Sequence, residues 1–236
     1  MDHHAHAHSH DHGDAATAAN KARFDKTAEQ YDDIPGVLDM HKRQSAAIMQ
    51  KYGTLFDASS TDLLDFACGT GLLSQALAPH VRSILGVDIS NAMVDRYNAR
   101  AAQDGFGTDE MHAICAELKE GNETELNGRK FDIVVCSAAY HHMTSIENTT
   151  RLLSSCLKPG GSLLITDMMA SDDYKVLSRM PYAEAVPHKA GFDEATIRAT
   201  FEGAGLVNTE YEYMLSATIH DTDVNFFLAR GIKSVM

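Results

Sequence analysis

The residues with the clearest chemical potential fall in one segment, LLDFACGTGLLS, where Leu63, Leu64, Asp65 and Phe66 lead through Ala67, Cys68, Gly69 and Gly71 into residues at helical spacing. The pattern predicts a strand, a glycine turn and a helix start. Glycine lets a backbone come close to a ligand, and free N–H groups at a helix start favour a carboxylate or phosphate. The glycine pair gains meaning from a second apolar run, ILGVD, which ends at Asp88, 19 positions after Gly69. At about 20 residues from such a turn, a carboxylate meets the hydroxyls of a ribose.

Two cofactor classes share this arrangement, the nicotinamide dinucleotides and S-adenosylmethionine, and Asp65 separates them. A dinucleotide site has a third glycine for close helix–strand packing beneath a pyrophosphate, and the matching position here is Ser74. A carboxylate just before the turn repels a pyrophosphate but can hold the ammonium of a bound amino acid, directly or through water. S-adenosylmethionine carries such an ammonium.

At this point the chain resembles the class I S-adenosylmethionine-dependent methyltransferases. Their glycine motif, D/E-x-G-x-G-x-G, is matched by Asp65-Phe66-Ala67-Cys68-Gly69-Thr70-Gly71, with Ala67 in place of one glycine. The likeness continues through VDIS, CAEL, KFDIVVCSAAYHHM and CLKPGGSLLITD and covers roughly residues 24–230. It implies a Rossmann-like, doubly wound seven-stranded α/β sheet with the last strand antiparallel. For cofactor binding it implicates Asp65, Ala67, Cys68, Gly69, Gly71, Asp88, Ile89, Ala116, Glu117, Leu118 and Ser137. Asp88 would take the ribose diol, and Glu117 with Leu118 would border the adenine.

In this fold the methyl acceptor lies at the end of the fourth strand, which reads Cys136-Ser137-Ala138-Ala139-Tyr140-His141-His142-Met143. The N/D-P-P-Y/F motif of enzymes that methylate base amines or glutamine is missing. The segment is instead similar to the ubiquinone-biosynthesis-type branch that acts on small molecules. Histidine, with a pKa near 6.5, accepts a proton at cellular pH, so His141 is the expected base and His142 its support. Tyr31, Tyr140 and His188 are expected to bind the acceptor. The expected reaction is methyl transfer to O, S or N of a small molecule. Two alternatives stay open: methylation of a protein side chain, and a methyltransferase-like binder without turnover.

These side chains need a scaffold. Phe24, Ala28 and Tyr31 share one helical face, and Leu38, His41, Ser45, Ile48 and Tyr52 share another, with Pro35-Gly36 breaking the two apart. The pattern predicts a helical lid over 15–58 ahead of an α/β core over 59–236. Strands are expected at 62–67, 83–87, 111–115, 131–136 and 162–166, with helices between them. Continuous apolar strands alternating with helices form a parallel sheet covered on both faces. Runs 206–215 and 223–229 follow each other without a helix, which predicts an antiparallel hairpin.

Residues 1–14 hold six of the thirteen histidines and are expected to form a disordered tail able to bind divalent metal. Of the net charge of -13 that segment supplies only Asp2, Asp11 and Asp14, so the body is acidic too. The twenty Lys and Arg are scattered, and a phosphate-neutralising face needs them clustered, which excludes nucleic acid as an expected partner. Cys68, Cys115, Cys136 and Cys156 show no zinc or disulfide spacing, and no apolar run reaches the roughly 20 residues of a membrane span. A cytoplasmic monomer or homodimer with reduced thiols, no membrane partner and no metal in its mechanism is expected.

Overall fold

Strand side chains alternate between faces, and in this chain both faces are apolar. Leu63, Ile84, Ile133 and Leu164 belong to one core cluster, and Leu64, Leu85, Val134 and Leu163 to another. Each cluster needs its own cover of helices. The computed structural model describes residues 7–119, 124–171, 186–219 and 222–235, with backbone alone at 7–14, 124, 219 and 222. In it the elements run α1 (Ala7–Tyr31), α2 (Val37–Tyr52), β1 (Asp62–Phe66), α3 (Leu72–Leu77), β2 (Ser83–Asp88), α4 (Asn91–Gln103), β3 (Met111–Cys115) and β4 (Phe131–Ser137). They continue with α5 (Ile146–Cys156), β5 (Leu157–Met168), α6 (Glu194–Gly203), β6 (Leu206–Ile219) and β7 (Thr222–Lys233).

The sheet order is β3-β2-β1-β4-β5-β7-β6. Strands β1 to β5 pair in parallel, and β7 is antiparallel to both its neighbours. The Ile48 and Tyr52 side chains of α2 cover the first face together with Leu73 and Leu77 of α3 and Val94 and Tyr97 of α4. Leu152, Leu153 and Cys156 of α5 cover the second with Ile197 and Phe201 of α6. Local caps start the helices: Ser90 accepts from Met93 N, Ser145 from Asn148 N and Asp193 from Thr196 N.

Two details differ from the sequence reading. The expected disordered tail, 1–14, overlaps α1, which begins at Ala7; alanines at 15, 16, 18 and 19 extend helix propensity into that stretch. Residues 1–6 lie outside the described residues, as does 172–185 of the variable segment that follows β5. The turn at Lys158-Pro159-Gly160-Gly161 lies inside β5 as a bulge, since Phe131 pairs with Leu157 and Ile133 already with Ser162.

Candidate active site

The glycine turn after β1 is held by backbone and carboxylate together. Cys68 N donates to Val87 O of β2 at 3.1 Å, Gly69 N to Asp88 Oδ2 at 2.9 Å, and Gly71 N back to Cys68 O at 3.0 Å. Gly69 and Gly71 sit at φ 53° and 84°, and so does Ala67, at φ 57°. Ala67 thus occupies the family's glycine position in a left-handed conformation that costs an L-residue about 1–2 kcal/mol. A Cβ on Gly69 would meet nothing within 4 Å, so the space above it is open to a ligand; a Cβ on Gly71 would meet Tyr97 Cδ2 at 2.6 Å.

Two carboxylates flank the turn. Asp88, 8% exposed, ends β2, and its oxygens accept from Gly69 N and, at 2.9 Å, from Ser90 N. Burial raises its pKa against the pull of those backbone donors. Asp65 is 2% exposed beneath the turn and accepts from Ser74 Oγ at 2.6 Å. Burial pushes it up to about 7, opposed by the Ser74 hydrogen bond and reinforced by the negative charge of Asp88. Ser74, at the third-glycine position of a dinucleotide site, is therefore the hydroxyl that partners Asp65.

Above these groups lies a cavity of about 900 Å³. Its walls include Asp65, Ala67, Cys68, Gly69, Asp88 and Ile89, then Ala116, Glu117, Leu118 and Ser137. Gly71 stands behind the wall as the residue that starts α3. Glu117 is half-exposed and pairs with Lys119 at 3.2 Å. Tyr31 and Phe24 of α1 close the cavity from the lid side, where Tyr31 was expected.

The histidine turn after β4 departs from expectation. The His142 ring lines the cavity, with Phe24 edge-on at a centroid distance of 5.3 Å. His141 is not in the cavity wall; its Nδ1 meets the Asp167 carboxylate at 2.9 and 3.1 Å. Consecutive residues of a tight turn face different ways, so the expected order of base and support is reversed in space. Tyr140, expected to bind the acceptor, is fully buried in the core with its hydroxyl 3.0 Å from Thr150 Oγ1. His188 also lies outside the wall and packs against Phe192 at 5.1 Å, while its neighbour Pro187 reaches the cavity. Burial lowers the His188 pKa.

Sequence reasoning missed the groups that tie the lid to the cofactor loops. Asp32, at the end of α1, accepts from Thr70 Oγ1 at 2.6 Å and pairs with Arg100, whose Nε donates to Thr70 O at 2.9 Å. Asp25 accepts from Ser90 Oγ at 2.6 Å. His41 of α2 also lines the cavity and is 8% exposed; its Nδ1 has no hydrogen-bond partner among the described residues. Burial holds it neutral, with its pKa lowered to about 4. Gln44, one turn on, accepts from Ser137 Oγ at 2.9 Å. The QYDD and DMHKRQ segments gave no local signal of these contacts.

A profile described as a methyltransferase domain matches residues 40–211, well over half of the chain. The chain belongs to the class I S-adenosylmethionine-dependent methyltransferases. It is 38% identical over 157 residues to an uncharacterized methyltransferase, C1347.09, of Schizosaccharomyces pombe, covering 64% of this chain and 55% of that one. It is 29% identical over 104 residues to a ubiquinone biosynthesis O-methyltransferase of Coxiella burnetii, covering 44% and 42%. The chain thus spans about half the length of the curated relatives it matches. The crystal structure of the YcgJ protein of Bacillus subtilis shares the fold, with a TM-score of 0.61 at 18% identity over 80% of this chain and 98% of that one.

The methyltransferase site fits the family's cofactor, S-adenosylmethionine, on three observations of this chain. A buried carboxylate, Asp65, lacks a cationic partner among the described residues; open space lies above Gly69; and Asp88 is held by backbone donors at the end of β2. None of the four cysteines forms a disulfide. Among the described residues no group of His, Cys, Asp or Glu is arranged to hold a metal ion, and no helix is long and apolar enough to cross a membrane.

Proposed function

We propose that this methyltransferase moves a methyl group from S-adenosylmethionine to O, S or N of a small, uncharged molecule. The observation that carries the reading is the continuity of the cavity, which runs from Asp65 and Asp88 past the glycine turn to the His142 ring and the lid residues Phe24 and Tyr31. Asp65 would hold the cofactor's ammonium, Asp88 its ribose hydroxyls, and Ile89 with Leu118 the faces of its purine. The sulfonium of the bound cofactor already activates the methyl, so the protein mainly aligns donor and acceptor and excludes water. His142, placed in the wall, accepts the proton that an acidic acceptor loses on attack. His141 stands behind it.

The charge of the lining supports a neutral acceptor. Among the described residues Lys119 is the one cationic side chain in the wall, it is paired with Glu117, and His41 is neutral. An anionic acceptor would find no counter-charge from the described wall residues beyond the cofactor's own sulfonium, at a cost that grows in a low-dielectric site. The named O-methyltransferase among the relatives supports a hydroxyl as the acceptor group.

The test is a metabolite extract incubated with methyl-labelled cofactor and purified protein. A labelled low-molecular-weight product is expected. Label carried only by polypeptide, or S-adenosylhomocysteine bound by calorimetry with no product at all, would replace this reading with one of the two alternatives.

A further inference from the structure

We propose that Asp167, at the end of β5, is a positioning residue that acts through His141 to set the His142 ring in the cavity wall. The inference rests on the reading of His142 given above. Asp167 has no exposure. Its carboxylate accepts from His141 Nδ1, from His141 N at 3.2 Å and from Met168 N at 2.7 Å. The route to this contact is set by the backbone. Ala138 turns the chain at φ 51°, its N–H donates to Thr166 O at 2.7 Å, and the turn Tyr140–His142 folds back over the end of β5.

A fully buried carboxylate costs several kcal/mol of desolvation unless its lone pairs are matched. Here the matching donors come from the histidine turn and from the end of β5. Because a carboxylate only accepts, the His141 Nδ1 that faces it carries a proton. The carboxylate also fixes the plane of that ring. The His141 and His142 rings lie 4.2 Å apart at 43°, and Phe24 meets His142 edge-on at 5.3 Å. His142 thereby touches both a ring anchored to the sheet and a ring carried by α1. A misplacement of about 1 Å in a reacting group costs on the order of 100-fold in rate, so anchoring of this kind has a kinetic consequence.

Asp167→Asn tests the assignment, because the amide keeps the shape but sets an N–H against His141 N or Met168 N, both of which donate to the carboxylate. Nitrogen-15 spectra of histidine-labelled protein should show the His141 and His142 ring signals moving. Affinity for S-adenosylhomocysteine should stay within about twofold. With the acceptor found in the extract screen, kcat should fall roughly 10- to 100-fold while KM changes less than about threefold. Should the buried amide prevent folding, His141→Asn supplies a second arm. Its side-chain N–H falls near the Nδ1 position and preserves the hydrogen bond, so it should retain kcat within about tenfold of wild type where His141→Ala does not. Shifted His141 signals with unmoved His142 signals and wild-type kcat would overturn the positioning role, as would equal losses in His141→Asn and His141→Ala. Full turnover in His142→Ala would instead overturn the role given to His142, leaving the spectroscopic result to judge Asp167.

Discussion

Replacing Asp65 by Asn should make the protein more stable without ligand at neutral pH and worse at binding its cofactor. The carboxyl has a usual value of 3.8 and is pushed up to about 7 in the folded chain. Below pH 3.8 it is protonated in both folded and unfolded chains and contributes nothing to pH dependence. Between the two values only the unfolded chain gives up the proton, so it binds fewer protons than the folded one and stability falls as pH rises. Above about 7 the loss is complete. At 1.36 kcal/mol per unit it amounts to at most about 4 kcal/mol, undiminished by solvent because the group is fully buried. The amide does not ionise. In urea unfolding from pH 4 to pH 8, the stability of Asp65→Asn relative to wild type should therefore grow by up to about 4 kcal/mol. The same variant lacks the charge opposite the cofactor's ammonium, and its affinity for S-adenosylhomocysteine at pH 8 should fall roughly 10- to 100-fold. A stability difference that stays flat with pH would refute the buried-carboxyl reasoning, and unchanged affinity would refute the ammonium contact.

Asp88→Ala should weaken S-adenosylhomocysteine on the order of 10- to 1,000-fold by calorimetry, since it removes up to two charge-assisted hydrogen bonds to ribose and leaves Gly69 N and Ser90 N without their acceptor. Gly71→Ala should destabilise the protein by about 1–3 kcal/mol in thermal or urea unfolding, because the new methyl would stand 2.6 Å from the fully buried Tyr97 ring. Deleting residues 1–13, whose six imidazoles precede every cavity-lining residue in the chain, should leave turnover unchanged with or without a chelator. Loss of activity in either condition would bring a metal back into the mechanism.

The strands and the cofactor half of the site were legible because they rest on local patterns. Short apolar runs mark β1 to β4 to within a residue, and the distance from the glycine turn to Asp88 is fixed by one crossover. The acceptor half was not. His141 and His142 are adjacent in sequence but differ in placement, and only the chain's return over the end of β5 decides which residue lines the cavity. Tyr140 reads as a polar aromatic near a site, yet its hydroxyl is satisfied inside the core by Thr150. Asp32, His41 and Asp167 act across tertiary contacts, and nothing in their own segments marks the partner. A hairpin at the C-terminus was equally readable, but its final strand enters between β5 and β6, which spacing alone does not encode.

That inserted strand bears on the order of assembly. The β6–β7 ladder joins neighbours in the chain and closes a short loop, whereas each parallel pair from β1 to β5 must first close a crossover, and loop closure grows costlier with length. No residue beyond Pro187 lines the cavity among those described. Among the described residues the C-terminal hairpin thus lines none of the cavity, whose walls come from α1, α2 and the parallel part of the sheet with its loops. A ligand bound there stabilises the folded chain by mass action, so the energy of cofactor binding is delivered to the costly crossovers and not to the hairpin.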